Sequence, residues 1–284
     1  MNLTTEQLKK IPVFGIAGNF AEHLTQAGED ADFVNVKTDD PDSPKGIFPI
    51  YLPNFESFLG TFPLSFSILK ADFSENINLH LEPETCILFD VTYKNQKIIS
   101  LQPLAFTAFN DCSIRRPNAT KISQKKNWGE KCSGVSATWV EVDSLKEGGK
   151  LDNYSIISFI KRDGKTIQHG MNSPVIGYQY FHQKLVNWII KTFNNQVNTG
   201  PLEPLNDYLN EINLPSQIIV SLGATRYTSF GEKGFLKPND ELGVFVYNHT
   251  KTDQQKVCEH FSNQPKEIFK NGCYLHQVVK NINI

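Results

Sequence analysis

The chain has almost no net charge and no basic cluster. It contains 28 Lys and Arg against 30 Asp and Glu, which gives a formal net charge of −2. Basic residues never run longer than a pair such as Lys125-Lys126. Proteins that bind nucleic acid or an anionic membrane surface usually carry a basic patch. We therefore expect neither nucleic acid nor a membrane as a partner.

Further absences bear on cellular location. No apolar run approaches the ~20 residues that a membrane-spanning helix needs. Charged residues precede the short apolar stretch near the N-terminus and no cleavage site follows it, so we expect that this segment is not a signal peptide. The cysteines have no close regular spacing, which argues against a disulfide framework. Free cysteines fit a reducing compartment, so we expect a cytoplasmic protein. The cysteines are Cys86, Cys112, Cys132, Cys258 and Cys273.

The composition is that of an ordinary globular protein. Hydrophobic residues make up 39% and charged residues 20% of the chain, enough for a sizeable core. Residues 85–93 and 154–162 have the pattern of strands, and Asp163-Gly164 predicts the type I′ turn of a hairpin. Residues 178–194 carry apolar side chains at helical spacing. The sequence predicts an α+β protein that is mainly β, with mixed, mostly antiparallel sheets and a few covering helices.

Acidic residues occur at two places that a β structure can bring together. Glu82-Pro83-Glu84 opens a strand-like run, and alternate residues of a strand face the same way. If the run that ends at Asp111 lies alongside this strand, three carboxylates converge. Such a cluster is stable only with a cation between the carboxylates. Oxygen ligands suit Mg²⁺, with Mn²⁺ or Ca²⁺ as alternatives. The other interpretation stays open, since Glu-Pro-Glu is also a common solvated turn and Asn110-Asp111 a common turn or helix cap.

Six short segments, in order along the chain, resemble the fumarylacetoacetate hydrolase superfamily. This group of metal-dependent enzymes includes acylpyruvases, decarboxylases and isomerases, and the chain is similar to a poorly characterised branch of it. The resemblance extends from about residue 13 to 248, and the order of the segments makes it specific for the fold. The segments are an Asn-aromatic-x-x-His motif ending at His23, a Glu-x-Glu pair at 82–84, an Asn-Asp-x-Ser-x-Arg motif at 110–115, Lys126, a hairpin at 163–173 and a Phe-Leu-x-Pro turn at 235–240.

The resemblance implies a β-sandwich or β-roll and a homodimer. It also implies that residues 1–75 form an N-terminal segment with a histidine-bearing loop, 76–249 the catalytic domain and 250–284 a helical tail. The implied reaction is the hydrolysis of a C–C bond in a small 1,3-dicarbonyl or 2-oxo acid, such as an acylpyruvate, through a metal-stabilised enolate. The implied roles are metal binding for Glu82, Glu84 and Asp111, catalysis for His23 and Lys126, and substrate binding for Arg115, Asn19, Gln168 and Gly223.

Three departures from the family pattern concern the substrate side. Gln26 stands where acylpyruvase-type members have a Glu that partners the histidine, Arg116 follows Arg115 where an Asp is usual, and Ala224 lies in a loop without the usual Thr-Gly-Thr-Pro. Without a carboxylate at position 26, His23 loses an orienting partner. Decarboxylation or tautomerisation of a 2-oxo acid therefore rivals hydrolysis, and a non-catalytic ligand-binding protein of this fold is a third hypothesis.

The tail contains one more candidate site. Cys258-x-His260 and Cys273-x-x-His276 supply the two Cys and two His of a tetrahedral zinc site. Ordinary zinc motifs pair Cys with Cys and His with His, and this mixed spacing matches none of them. We expect the tail to pack as one or two amphipathic helices without zinc.

Overall fold

A computed structural model describes residues 1–282 apart from 22, 29–32, 34, 35, 37, 39, 75, 76 and 117. The strands among the described residues are β1 (Val13–Ala17), β2 (Gly46–Tyr51), β3 (Leu64–Ser65), β4 (Ile68–Ala71), β5 (Leu79–His80), β6 (Pro83–Lys94), β7 (Lys97–Asn110), β8 (Ser113–Ile114), β9 (Ser133–Val135), β10 (Val140–Glu141), β11 (Tyr154–Arg162), β12 (Lys165–Pro174), β13 (Gln217–Ser221), β14 (Glu241–Asn248) and β15 (Gly272–Asn281). The helices are α1 (Thr5–Leu8), α2 (His23–Ala27), α3 (Ser123–Lys126), α4 (His182–Asn195), α5 (Leu205–Glu211), α6 (Ser229–Lys233) and α7 (Gln254–Asn263).

Two large mixed sheets form the body of the protein. The first has the strand order β2-β1-β13-β6-β7-β9-β3, with β10 also paired to β7, and the second has the order β12-β11-β14-β15-β4. Strands β5 and β8 pair separately. Most pairs are antiparallel, while β1 with β13, β3 with β9 and β4 with β15 are parallel. The predicted fold class, mainly β with mixed sheets and a few helices, is confirmed.

The β6–β7 hairpin places the acidic residues. Its turn residues Asn95 and Gln96 have φ values of 50° and 61°, the left-handed geometry of the tight turn that suits the twist of two strands. Pairing continues to the open end, where Pro83 lies opposite Asn110. The residues next to these two positions therefore meet at one end of the sheet. The predicted turn at Asp163 is formed in the same way, with a φ of 50°.

A shared hydrophobic core holds the two sheets together. Helix α4 packs on β7 and β2, and its buried side chains Leu185, Ile189 and Phe193 belong to the same core, as their helical spacing predicts. On the second sheet, α7 contacts β11 and β12. The core residues contributed by the strands of both sheets include Ile87, Phe106, Ile156, Val244 and Leu275.

The C-terminal segment differs from the expected helical tail. Within its described part, Gln254–Asn263 is helical, but Gly272–Asn281 is a strand that pairs with β14 on one side and β4 on the other. Burial alternates along this strand, with Cys273, Leu275 and Val279 inside, so its period of two belongs to a sheet. No helix in the described residues combines the length and apolar character that crossing a membrane requires. The proposed division into domains stays a prediction.

Candidate metal centre and active site

Glu82, Glu84 and Asp111 converge at the open end of the β6–β7 hairpin, and we call them the carboxylate triad. One oxygen atom of each lies within 4.8 Å of the others. None of the three residues is more than 3% exposed. Because three buried carboxylates repel one another, this cluster is suited to hold a divalent metal ion.

Asn110 and Gln277 fix the main chain that carries the triad. The Asp111 N–H donates to the Glu82 carbonyl at 3.1 Å, and the Glu82 N–H donates to Asn110 Oδ1 at 3.3 Å. The Asn110 amide donates to Gln277 Oε1 at 2.9 Å, and Gln277 is fully buried on β15. The C-terminal strand therefore supports the carboxylate triad, a connection that the expectation of a helical tail missed.

Glu84 is positioned by the end of β13. Its Oε2 accepts hydrogen bonds from the Ser221 hydroxyl and, at 3.1 Å, from the Gly223 N–H. Gly223 has a φ of 101°, and a Cβ there would lie 3.0 Å from the Ile16 carbonyl oxygen, so this position needs glycine. The backbone of Gly223, a predicted substrate residue, thus contacts a member of the triad.

Two basic side chains offset part of the triad's charge. Lys126 Nζ lies 2.6 Å from Glu82 Oε2 and 2.8 Å from Asp111 Oδ2. Arg115 Nη2 lies 3.5 Å from Glu82 Oε1. Lys126 is buried, so water screens its attraction to the carboxylates only weakly. Two cations do not fully neutralise the triad when all three carboxylates are ionised.

The pKa values of the two glutamates move in opposite directions. Burial disfavours ionisation of Glu82, but the charges of Lys126 and Arg115 outweigh it and hold the pKa of Glu82 below its usual range. Burial raises the pKa of Glu84 well above its usual range, and the charge of Asp111 adds to this rise. A cation among the three carboxylates would remove this repulsion. The Glu82 Oε1 atom is buried without a hydrogen-bond partner among the described residues, which also fits a metal ligand.

His23 begins α2 and faces the triad. Its Nδ1 lies 3.1 Å from the Thr225 carbonyl oxygen, and because a carbonyl only accepts, Nδ1 carries the hydrogen. The lone pair is then on Nε2, which lies 4.0 Å from Glu82 Oε2. A backbone carbonyl therefore orients the imidazole, with its basic nitrogen on the side of the triad.

Gln26 has a different partner from the one that the family pattern suggests. Its Oε1 accepts from the Tyr227 N–H at 2.9 Å, and its Nε2 donates to the Tyr227 carbonyl at 3.4 Å. The amide thus holds the backbone of Tyr227, and the orienting contact to His23 comes from Thr225. No sequence motif marks this exchange, since any residue has a backbone carbonyl.

Two other predicted substrate residues have partners away from the triad. The Asn19 amide donates to the carbonyls of Tyr180 and Leu222 and accepts from the Tyr180 N–H. The Gln168 side chain donates to the Gly170 carbonyl and accepts from Gln254. Contacts between these two side chains and substrate stay predictions.

A family model described as a family of unknown function, DUF5718, matches residues 29–279. The chain belongs to this family. No curated protein matches it. The motif-based resemblance is confirmed by solved structures, which show the fold of the fumarylacetoacetate hydrolase superfamily.

Three solved structures illustrate the likeness of this DUF5718 protein to that fold. A structure of Cg1458 with inhibitor has a TM-score of 0.56 and 15% identity, covering 95% of this chain and 77% of that one. The 5-carboxymethyl-2-hydroxymuconate delta-isomerase from Mycobacterium smegmatis has a TM-score of 0.54 and 15% identity, covering 95% and 78%. The 2-keto-3-deoxy-D-arabinonate dehydratase complexed with magnesium and 2,5-dioxopentanoate has a TM-score of 0.50 and 15% identity, covering 97% and 74%. At this identity the likeness concerns the fold.

Three aromatic side chains beside the triad are not singled out by the sequence motifs. The rings of His80 and His169 lie 4.4 Å and 5.2 Å from that of Tyr227, and the His23 ring lies 5.1 Å from it. His80, His169 and Tyr227 are all buried. In the sequence, His80 could have been linked to the site only by its position two residues before Glu82.

A cavity of about 750 Å³ adjoins the site through Arg115. Arg116 also lines it and donates to the Gln124 carbonyl at 3.3 Å. Among the described residues that line the cavity none is acidic, and the wall combines these cations with apolar side chains such as Trp128 and Ile77. The cavity is thus suited to an organic anion.

The cysteine and histidine residues of the tail do not form a zinc cluster among the described residues. The Cys273 thiol donates to the Phe106 carbonyl at 3.5 Å. His276 Nε2 lies 3.0 Å from Glu241 Oε2. Cys273 therefore contacts β7 of the first sheet, whereas His276 contacts β14 of the second.

Proposed function

We propose that the protein is a divalent-metal-dependent enzyme that hydrolyses a C–C bond of a small 1,3-dicarbonyl or 2-oxo acid, such as an acylpyruvate. The observation that carries this proposal is the buried carboxylate triad with the basic nitrogen of His23 4.0 Å from Glu82. A metal site beside an oriented imidazole is an arrangement for acid–base chemistry on a polarised carbonyl.

Glu82, Glu84 and Asp111 would hold the ion, for which Mg²⁺ is the first choice and Mn²⁺ or Ca²⁺ the alternatives. When bound, the ion would polarise the substrate carbonyl and stabilise negative charge on the leaving carbon fragment. Magnesium is supported by the dehydratase of the same fold, whose structure is described as complexed with magnesium.

His23 is the proposed general base. With its Nδ1 hydrogen held by the Thr225 carbonyl, its Nε2 takes a proton from the attacking water. The imidazole is suited to this because its unperturbed pKa is close to neutrality. The same ring returns the proton to the departing carbon.

Lys126 and Arg115 have different roles in the proposed reaction. Lys126 contacts two carboxylates of the triad, so it limits their mutual repulsion and orients their oxygens. Arg115 lies between the triad and the cavity and binds the carboxylate of the substrate, for which a guanidinium is well suited. The cavity takes the rest of the acid.

Decarboxylation or tautomerisation of a 2-oxo acid is the second candidate. It is favoured by the contact of Gln26 with Tyr227, which leaves His23 without the carboxylate that hydrolytic members have. The solved structures of the same fold include an isomerase and a dehydratase. Isomerisation and dehydration do not require water to attack a carbonyl carbon. The third candidate is a metal-binding module without catalysis.

A substrate screen tests these candidates. EDTA-treated protein, with and without added Mg²⁺ or Mn²⁺, is incubated with a series of acylpyruvates and with oxaloacetate. Metal-dependent release of pyruvate from an acylpyruvate supports hydrolysis, while metal-dependent loss of CO₂ from oxaloacetate supports the second candidate. Metal binding without turnover of any compound would support the non-catalytic module. The homodimer and the cytoplasmic location stay predictions, the first of which light scattering can test.

A further inference from the structure

His80 and Glu82 both contact the same guanidinium nitrogen of Arg115. Arg115 Nη2 donates to His80 Nδ1 at 2.8 Å, whereas its distance to Glu82 Oε1 is 3.5 Å. The shorter contact is thus with the imidazole, and the carboxylate forms only a longer ion pair.

The hydrogen bonds of the His80 ring define its tautomer. His80 Nε2 is hydrogen-bonded to the carbonyl oxygen of Gly231, and a carbonyl can only accept, so Nε2 carries the hydrogen. Nδ1 then has a lone pair, which is what the Arg115 N–H requires. Both ring nitrogens have a defined role, one as donor and one as acceptor.

The surrounding packing fixes the ring. His80 is 2% exposed, and its ring lies 4.4 Å from Tyr227 and 5.9 Å from Phe235. A Cβ at Gly231 would lie 2.2 Å from the His169 carbonyl oxygen, so glycine allows α6 to lie directly against β12. The carbonyl that holds His80 is therefore supported by the second sheet.

We propose that His80 is a positioning residue that keeps Arg115 available to the anionic substrate and keeps Glu82 available to the metal. Without an acceptor at position 80, the guanidinium would close onto Glu82, because Arg and carboxylate readily form a two-bond pair. That pair would take the cation from the substrate and a charged oxygen from the metal. This inference rests on the proposed function of Arg115 in substrate binding, but its effect on metal affinity does not.

The experiment compares His80→Phe with His80→Asn. Phenylalanine keeps a ring against Tyr227 but has no acceptor, whereas Asn places a carbonyl oxygen near the position of Nδ1. Calorimetry measures the affinity for Mn²⁺ and then, with Mn²⁺ bound, the affinity for oxalate, a planar dianion that resembles the enolate of a 2-oxo acid. Thermal unfolding confirms that each variant is folded.

We expect His80→Phe to weaken both Mn²⁺ and oxalate binding about tenfold or more, as the loss of a hydrogen bond to a charged group usually does. His80→Asn should stay within about threefold of wild type. In an Arg115→Met background, His80→Phe should have little further effect on either ligand, because the two residues act as a unit.

The contrary outcomes are distinct. If wild type binds oxalate and turns over a substrate, but His80→Phe binds both ligands like wild type, the positioning role is wrong and the proposed function stands. Equal losses in the Phe and Asn variants, with an additive loss in the Arg115→Met background, would make His80 merely structural and also overturn the inference. If wild type binds Mn²⁺ but neither binds oxalate nor turns over a substrate, the proposed function fails and the substrate half of the inference fails with it.

Discussion

Glu203 is a buried carboxyl group whose ionisation should set part of the pH dependence of stability. It is 3% exposed, and its Oε1 accepts a hydrogen bond from Ser123, the first residue of the helix that carries Lys126. Its Oε2 has no hydrogen-bond partner among the described residues. Burial raises the pKa of Glu203 from 4.5 to about 7, against the smaller opposing effects of Ser123 and Lys121.

The magnitude and the sign follow from this difference in pKa. A rise of roughly 2.5 pH units corresponds to about 3 kcal/mol. Between pH 4.5 and about 7 the folded protein retains the proton of Glu203, whereas the unfolded chain has lost it. The free energy of unfolding therefore falls as the pH rises through this window and levels off above it.

The variant Glu203→Gln tests this reasoning, because glutamine keeps an acceptor for Ser123 and never ionises. Urea unfolding should give similar stabilities for wild type and variant near about pH 5, and a variant more stable by about 3 kcal/mol near about pH 8. The exposed Glu211 provides the control, since Glu211→Gln removes a carboxylate that is not buried and should change stability little. A Glu203→Gln effect that does not change with pH would refute the reasoning.

Three further predictions concern the site. Lys126→Met should lower the free energy of unfolding of the metal-free protein by about 3–5 kcal/mol, because buried carboxylates lose their cation. Added Mg²⁺ should stabilise this variant more than it stabilises wild type. Urea unfolding with and without Mg²⁺ measures both effects, and an equal effect of Mg²⁺ on the two proteins would contradict this prediction. His23→Ala should lower turnover ~10²–10⁴-fold with metal affinity near wild type, as kinetics and calorimetry can show, while unchanged turnover would exclude His23 as the base. Gln26→Glu should lower the melting temperature without raising turnover, since the amide holds the Tyr227 backbone; faster acylpyruvate hydrolysis would contradict the structure.

Local patterns predicted the elements that place the triad. The strand pattern of residues 85–93 predicts part of β6, and the Asp163-Gly164 pair predicts the turn of a second hairpin, which needs positive φ. Glu82 and Glu84 face the same cleft because a strand has a period of two. The meeting of these glutamates with Asp111 follows from the hairpin pairing, in which Pro83 lies opposite Asn110.

Long-range contacts explain what the sequence did not reveal. Gln277 is a buried polar residue on β15, and its role follows only from the hydrogen bond that it accepts from the Asn110 amide. The orientation of His23 depends on the Thr225 carbonyl, and a backbone oxygen has no sequence signature. The contact between His80 and Arg115 likewise depends on the pairing of β5 with β8, whose residues lie far apart in the chain.

The binding of one divalent ion by the carboxylate triad is the central claim, and calorimetry on EDTA-treated protein tests it most directly. Wild type titrated with Mn²⁺ or Mg²⁺ should bind one ion per chain. Glu84→Gln should bind at least about tenfold more weakly, because glutamine can still accept from Ser221 and Gly223 but lacks the charge that attracts the ion. The exposed Glu259 supplies the control, and Glu259→Gln should bind like wild type. Absence of binding by wild type, or binding by Glu84→Gln as tight as that of wild type, would contradict the assignment of the metal to the triad.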